Sequence, residues 1–392
     1  MDSRPSMSGL YSWVATDAKT GAVLADLPDL NLTDPIRQTI GRYESVGATL
    51  PIPSAPPDWQ RATTAGAANM ILLSQPTDSI GNYLGQPVPV WGATVAVDIV
   101  AENDVVQLAL TTLEAYLDRR YVGNQTFTGV GQNDIINTLV NGYIKVGPNG
   151  GIPIRVQYVT GGAGTARDRT YADQDDKTIY SILTDLMAVQ GGPEWYIGWE
   201  HQSAPERYTP VLYVGDRIGS AVPAGLGPAA TFEMPGPVQS FQRTRDYSSG
   251  KGANSVIATS SGQGTTRPQS PPQLATDPMR PTYEYRWTPS TSITDTNTLV
   301  SWAQSAVAAM DSGAVTLTMS AVASDAGCPQ LGIDWFIGDD IGFNIGGIDS
   351  NGNDTVPSVP GGLRGVARAV GYQLTLDNTP IITPVLAGPS IA

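Results

Sequence analysis

Residues 191–200 read GGPEWYIGWE, and the reading of this stretch decides the fold. Just upstream, Ile179, Ile182, Leu183, Leu186 and Met187 fall on one stripe at helical spacing. Asp175 or Asp176 is placed to cap that helix, which is predicted to run to about Val189. Gly191-Gly192-Pro193 then stops it in the usual order, glycine at the C-cap and proline just beyond. The next residues alternate. Trp195, Ile197 and Trp199 share one face, and Glu194, Tyr196 and Gly198 the other. Trp195–Glu200 is therefore predicted to be a strand paired with Arg207–Val214, its indoles covering the preceding helix. A chemical reading competes with this one, because carboxylates beside aromatic rings are common in sugar-cleaving sites. Glu194 is then a candidate general acid, although core cover is the simpler account of the pattern.

Working outward, a second helical stripe precedes this one in Gln132–Ile144, with Ile135, Ile136, Leu139, Val140 and Tyr143, and Gly150–Val159 offers a short strand. On the N-terminal side the chain reads as β-structure. Leu10–Thr16 and Gly21–Leu27 flank a turn-rich loop, and Val88–Val100 and Val105–Thr112 flank Glu102-Asn103-Asp104. Pro51, Pro53, Pro56 and Pro57 mark an irregular connection. On the C-terminal side, Pro237–Tyr247, Ala253–Ser260, Ala314–Val322, Asp340–Ile345, Leu363–Leu376 and Ile381–Leu386 read as strands. Thr296–Met310 reads as a helix, with Leu299, Trp302, Ala303, Ala306, Val307 and Met310 on a common face. Residues 261–281 are rich in Pro, Ser and Thr without periodicity, which predicts an exposed loop or lid, and no internal repeat is legible.

Composition narrows the class. A chain of 392 residues is long enough for two or three folding units. Gly 43 and Pro 31 imply frequent turns, and a charged content of 15% argues against disorder. Net charge is −14, which opposes a nucleic-acid-binding surface built from clustered Lys and Arg. One cysteine and one histidine leave no internal disulfide and no His-rich metal site. With no apolar signal core and no run long enough for a membrane span, a soluble chain made in a cytoplasm is expected.

The remaining chemical candidates each have a plain structural account. GVGQND at 129–134 lacks the third glycine of a phosphate loop. His201 lies in a polar stretch with no nucleophile motif to serve, and Cys328 reads as a small buried apolar side chain. Asp349–Asp354 has its glycine out of place for a calcium loop and Pro360 at the position of the bidentate Glu, so it reads as a turn. Asp173, Asp175 and Asp176 suit a helix N-terminus, and Asp339-Asp340 suit a turn feeding a strand. No catalytic, cofactor-binding or metal-binding residue is assigned on this reading, and no cofactor is expected.

Four stretches in order carry a resemblance: LYSWVATDAKTGAVLADLPDLN at the start; Tyr171–Thr178 leading into the helix and GGPEWYIGW; Gly332–Asp340; and Gly362–Tyr372 closing with Ile381–Leu386. Together they resemble the minor tail proteins of long, non-contractile-tailed bacteriophages, of the baseplate or tail-tip hub type. Only Lys19, Lys145, Lys177 and Lys251 are lysines, an Arg-over-Lys bias that suits a phage of a high-GC host. The resemblance implies a mostly β, α+β fold, with β-barrel-like hub domains and an inserted α/β domain of helices on a small sheet. Its expected divisions are residues 1–118, 119–230 and 231–392. It further implies a non-enzymatic virion protein of the tail tip, assembled in the host cytoplasm as a homotrimeric ring. Two barrels per subunit would then match a sixfold tail tube. Implied partners are the distal tail protein, the tape measure protein and other minor tail proteins, with phage DNA passing without specific binding. An acidic bore would suit that passage. Neither a peptidoglycan-cleaving domain nor a fibre-like extension is expected after the last strand. Two other functions stand beside this one. A glycan-binding receptor protein would use Trp195, Trp199 or Trp335 as stacking platforms, and a cell-wall hydrolase would pair Glu194 with a second carboxylate roughly 5–10 Å away.

Overall fold

The computed structural model describes residues 10–78, 80–189, 191–223, 225–262, 264–276, 279–289 and 295–391. The chain divides into two compact units, Met1–Ser240 with Met319–Ala392, and Phe241–Thr318. The fold is mixed α+β and mostly β, with curled sheets of barrel type and small α/β insertions.

The first sheet is built from β1 (Tyr11–Asp17), β2 (Val23–Asp26), β3 (Asn31–Leu32), β5 (Ser45–Pro51), β6 (Ala68–Ser74), β7 (Val88–Val100) and β8 (Val105–Thr112). Between them lie β4 (Ile36–Thr39), which joins another sheet, and the short helix α1 (Trp59–Ala62). The order is β2-β1-β6-β7-β8-β5-β3. Its two edge strands are consecutive in the chain, and that requires the sheet to curl. Laid flat, six strand spacings would separate the edges by roughly 29 Å. The five Cα steps from Asp26 to Asn31 reach about 18 Å at most. Leu27 and Leu30 in that connection are fully buried, so the closure itself is part of the core.

The insertion after β8 holds α2 (Glu114–Leu117), β9 (Gln125–Gly131), α3 (Gln132–Leu139), β10 (Arg155–Tyr158), β11 (Ala166–Tyr171), α4 (Ile179–Met187), β12 (Glu194–Ser203) and β13 (Glu206–Gly215). A π-helical turn, Val140–Ile144, extends α3 over the rest of its predicted span. β12 and β13 pair antiparallel, with Trp195 opposite Val214 and Trp199 opposite Pro210. The alternation read from the sequence holds: Trp195, Ile197 and Trp199 are buried in the core that also contains Ile182, Leu183 and Leu186 of α4, with Trp195 edge-on to Tyr180 of that helix. The cap differs from the expected one. Asp173–Asp175 form a 3₁₀ turn and Asp176 is left-handed, at φ +48°, so Thr178 reaches the N-cap position. Its hydroxyl accepts the Ser181 N–H at 3.1 Å. The helix ends at Met187, and Gly191 takes φ +65°.

The second sheet contains β14 (Thr231–Met234) and β15 (Val238–Asp246). The chain leaves the first unit within β15 and enters the second, which holds β16 (Ser255–Ala258), β17 (Gln273–Leu274), β18 (Glu284–Trp287) and α5 (Thr296–Met310). There Leu299, Ala303 and Val307 of α5 form a core with Val256 and Ala258 of β16, and Asp295 caps the helix by accepting the Thr298 N–H at 2.8 Å. Trp302 departs from the predicted apolar face. It is 43% exposed and sits on the flank of α5, edge-on to Trp287. The predicted loop 261–281 also carries structure, because β17 pairs with β16; Gln263, Asp277 and Pro278 of that loop lie outside the described residues. The chain returns through β19 (Ala314–Val322), β20 (Asp340–Ile345), β21 (Leu363–Thr375) and β22 (Ile381–Ile391). β22 runs five residues past the predicted end at Leu386, paired with β21 as far as Ile391 opposite Gly365.

The order of the second sheet, β14-β20-β21-β22-β19-β15, repeats that of the first. Matching β2, β3, β5, β6, β7 and β8 in chain order to β14, β15, β19, β20, β21 and β22 reproduces the neighbour list, with β1 as the one added strand. Direction agrees as well. β14 is parallel to β20, and β2 is parallel to β6 because β1 lies antiparallel between them. Each sheet again closes through consecutive edge strands: four Cα steps from Met234 to Val238, about 14 Å at most, join edges that a flat sheet would hold roughly 24 Å apart. The chain therefore contains one barrel topology twice.

Candidate functional site

The feature that organises the first unit is the seam where the two barrels meet. β4 leaves the first barrel and pairs antiparallel with β21 of the second, Ile36 opposite Leu374 and Thr39 opposite Gly371. Side chains then lock the seam from both sides. The Trp91 indole donates to the Arg37 carbonyl at 2.9 Å, and the Tyr372 hydroxyl donates to the Val90 carbonyl at 2.7 Å. Gln38 donates to the Ile197 carbonyl at 2.6 Å, and the Ile197 N–H donates to the buried Glu114 carboxyl at 3.0 Å. Trp91, Tyr372 and Glu114 are all nearly inaccessible, so these bonds hold strands together out of reach of water. One signal of this arrangement is present in the sequence, an acid placed among the apolar residues of LTTLEAYL.

The residues singled out as chemical candidates take structural positions. Glu194 heads β12, where it is clamped by Arg368 of β21 and accepts the Ile218 N–H at 2.7 Å. Trp195, Trp199 and Trp335 are buried, at 0%, 7% and 1% exposure, so none is a platform on which a sugar could stack. The alternation that made two of these indoles look like core cover also explains why they are unavailable. His201 stacks on Tyr208. Cys328 is buried, and burial, reinforced by Asp325 and Asp334, pushes its thiol up to about 12, outside the range of a reactive thiolate.

The carboxylate pairs are likewise engaged. Asp339 accepts the Ser220 and Phe336 N–H groups, while Asp340 accepts from Arg217 and from the Val222 N–H. An open recess of about 400 Å³ lies beside these two acids, lined also by Val222, Pro223, Trp335 and Phe336. Its acids fasten the neighbouring loop and are not left as a free pair. Asp349 accepts the Asn351 and Asn353 N–H groups at 2.8 Å each, and those backbone bonds hold its carboxyl below the usual range. A turn stabilised by its own aspartate is the geometry there. Among the described residues no group of three His, Cys, Asp or Glu could hold a metal ion, and no helix is long and apolar enough to cross a membrane.

No protein-family model matches the sequence, and no curated protein matches it. Solved structures do. A chain of the Francisella PdpA–VgrG complex in its half-lidded form aligns over 96% of this chain and 57% of its own length, with a TM-score of 0.51 at 7% identity. The tail protein from Neisseria meningitidis MC58 aligns over 96% of both chains, with a TM-score of 0.48 at 12% identity. The 43 kDa tail protein of prophage MuSo2 from Shewanella oneidensis aligns over 96% of this chain and 94% of its own, with a TM-score of 0.46 at 9% identity. The chain thus has a fold similar to that of a chain in the PdpA–VgrG assembly.

Proposed function

We propose that this chain is a structural subunit of a phage tail tip, a ring-forming hub that joins the tail tube to the outer tip proteins around the DNA exit channel. The observation that carries the reading is the repeated barrel: two sheets of the same strand order within one chain. Three such chains closed in a ring offer six similar faces, the geometry needed to meet a sixfold tube. The resemblance in sequence to tail-tip hubs and the similarity of fold to a chain of the PdpA–VgrG complex support the same reading. In it the chain is not an enzyme, its partners are further copies of itself and the neighbouring tail proteins, and its net charge of −14 keeps passing DNA from adhering.

The two alternatives find no support in the geometry. A glycan platform needs an open indole, and a glycosidase needs an acid free to give up a proton. The three tryptophans proposed for the first are buried, and both oxygens of the glutamate proposed for the second are bonded. Native mass spectrometry of the full chain, with electron microscopy of the particle that carries it, tests the proposal. A closed ring of three copies at the tail tip is the expected result, and a chain that stays monomeric at high concentration overturns it.

A further inference from the structure

The repeated barrel also marks a place where a strand is missing. β7 and β21 occupy the same position in their sheets, and both are 13 residues long. Each bulges against its following strand at nearly the same point, Ala96 in β7 and Val370 in β21. On the other side, the neighbouring sheet strand covers each only over its first half. β6 pairs with β7 from Val88 to Thr94, and β20 pairs with β21 from Leu363 to Arg368. Beyond that point the two strands differ. The ninth to twelfth residues of β21, Gly371–Leu374, are covered by β4. Of the ninth to twelfth residues of β7, Ala96–Ile99, the bulged Ala96 is followed by Val97–Ile99 paired with β8 on one side, and none of the four pairs with a described strand on the other.

This bare edge has the composition of one that is covered in use. Val97, Ile99 and Val100 are 45%, 51% and 58% exposed. The one charge among Ala96–Val100 is Asp98, which is turned back to accept the Ala65 N–H at 2.7 Å. The Ala65–Gly66 turn touches this edge only at the Val95 carbonyl and the Asp98 carboxylate, at 2.7 Å each. An apolar edge without lysine or proline is a template for another strand, and soluble monomers ordinarily block such edges.

We propose that the edge Ala96–Val100 accepts a strand from a second copy of this chain, as β21 accepts β4 from within its own. The repeat also identifies the donor. β4 lies in the connection between β3 and β5 of the first barrel, and the corresponding connection of the second runs from β15 to β19, residues 247–313. Barrels succeeding one another around a ring would each cover the next: β4 makes the contact inside the chain, and residues 247–313 make it between chains. The added strand supplies main-chain hydrogen bonds, and Val97 and Ile99 supply the apolar contacts.

The inference rests on the ring reading, and the test separates the two. The full chain carrying the photo-crosslinking residue benzoylphenylalanine at position 99 is irradiated in its assembled form, and the linked peptides are sequenced. Crosslinks to residues 247–313 of another copy are expected, and crosslinks to any other segment overturn the assignment of the donor. In parallel, self-association of V97K/I99K is compared with that of the parent by analytical ultracentrifugation, with circular dichroism as the check on folding. Lysines on an open edge should weaken association at least about tenfold while leaving the spectrum unchanged. A folded variant that associates as tightly as the parent overturns the inference and leaves the ring standing. A parent chain that never associates overturns both.

Discussion

Glu194 of β12 and Arg368 of β21 form a two-pronged ion pair, Nη1 donating to Oε1 at 2.6 Å and Nη2 to Oε2. The same guanidinium reaches the Ile218 carbonyl at 2.8 Å and the Gly338 carbonyl at 3.1 Å, so one arginine ties the insertion to the second barrel. The bond to Glu194 is the main reason that Arg368 holds its proton above the ordinary arginine range. Both side chains are about one-fifth exposed. Removing one partner of such a pair leaves the other charge poorly compensated. Arg368→Leu should therefore cost about 2–4 kcal/mol, less than a fully buried pair would. Glu194→Leu placed on top of it should restore part of that loss. Urea unfolding of the single and double variants measures both, and an Arg368→Leu chain as stable as the parent would show that the pair fastens nothing.

Glu114 gives a prediction with a defined sign in pH. It is almost inaccessible, and burial raises its carboxyl above the ordinary 4.5 despite hydrogen bonds from its own backbone, Thr112, Ile197 and Gln38. As pH rises from 4.5, the unfolded chain gives up this proton while the folded chain still holds it. Stability contributed by the neutral, buried acid is thus complete below 4.5 and declines as pH climbs towards the folded value. Glu114→Gln keeps the acceptor for the Ile197 N–H but has no proton to lose. Its Tm should gain on the parent as pH rises from 4.5 to neutrality. Parallel Tm curves for the two chains would show that this carboxyl does not titrate as described.

How much of this was legible in the sequence depends on the range of the contacts involved. Val88–Val100, Val105–Thr112, Ala314–Val322 and Asp340–Ile345 are found at their predicted limits, because alternation and β-branched density are local signals. β6, ANMILLS, has no alternation to read, since it is buried on both faces between β1 and β7. β4 escapes for another reason: its four residues become a strand only by pairing with β21, more than 300 positions away. The repeat is invisible for the same cause. The two barrels share an order of neighbours, which a sequence does not display, and β1 and insertions of different size interrupt the correspondence. Of the candidate site residues, the alternation of Trp195 and Trp199 foretold their burial, whereas nothing near Glu194 announced Arg368.

Cys328 offers a direct check on the core. Its thiol is buried and pushed up to about 12 by desolvation, with Asp325 and Asp334 adding to the shift. At pH 8 a negligible fraction is thiolate, and the sulfur is sheltered besides. Iodoacetamide should leave the folded chain unlabelled over hours and modify it fully in denaturant. Rapid labelling of the native protein would mean that the segment around Pro329 opens readily.

Gly92 lies where β12 crosses over β7, and it is the closeness of that crossing that excludes a side chain. A Cβ there would run into the Trp199 indole and come within 2.8 Å of the Ile71 side chain. The ring cannot swing aside freely, because Trp199 is 7% exposed and packed in the core shared by the insertion and the first barrel. Gly92→Ala should therefore destabilise by about 1–3 kcal/mol through overpacking, even though alanine suits the strand backbone better than glycine does. The cause can be separated from a backbone effect with a second substitution. Trp199→Leu removes the ring that the new methyl would meet, so adding Gly92→Ala to it should cost much less than adding it to the parent. Unfolding free energies of the two singles and the double measure the coupling. Simple additivity would mean that the methyl is accommodated without touching Trp199, and the close crossing of β12 over β7 would not be what holds that position to glycine.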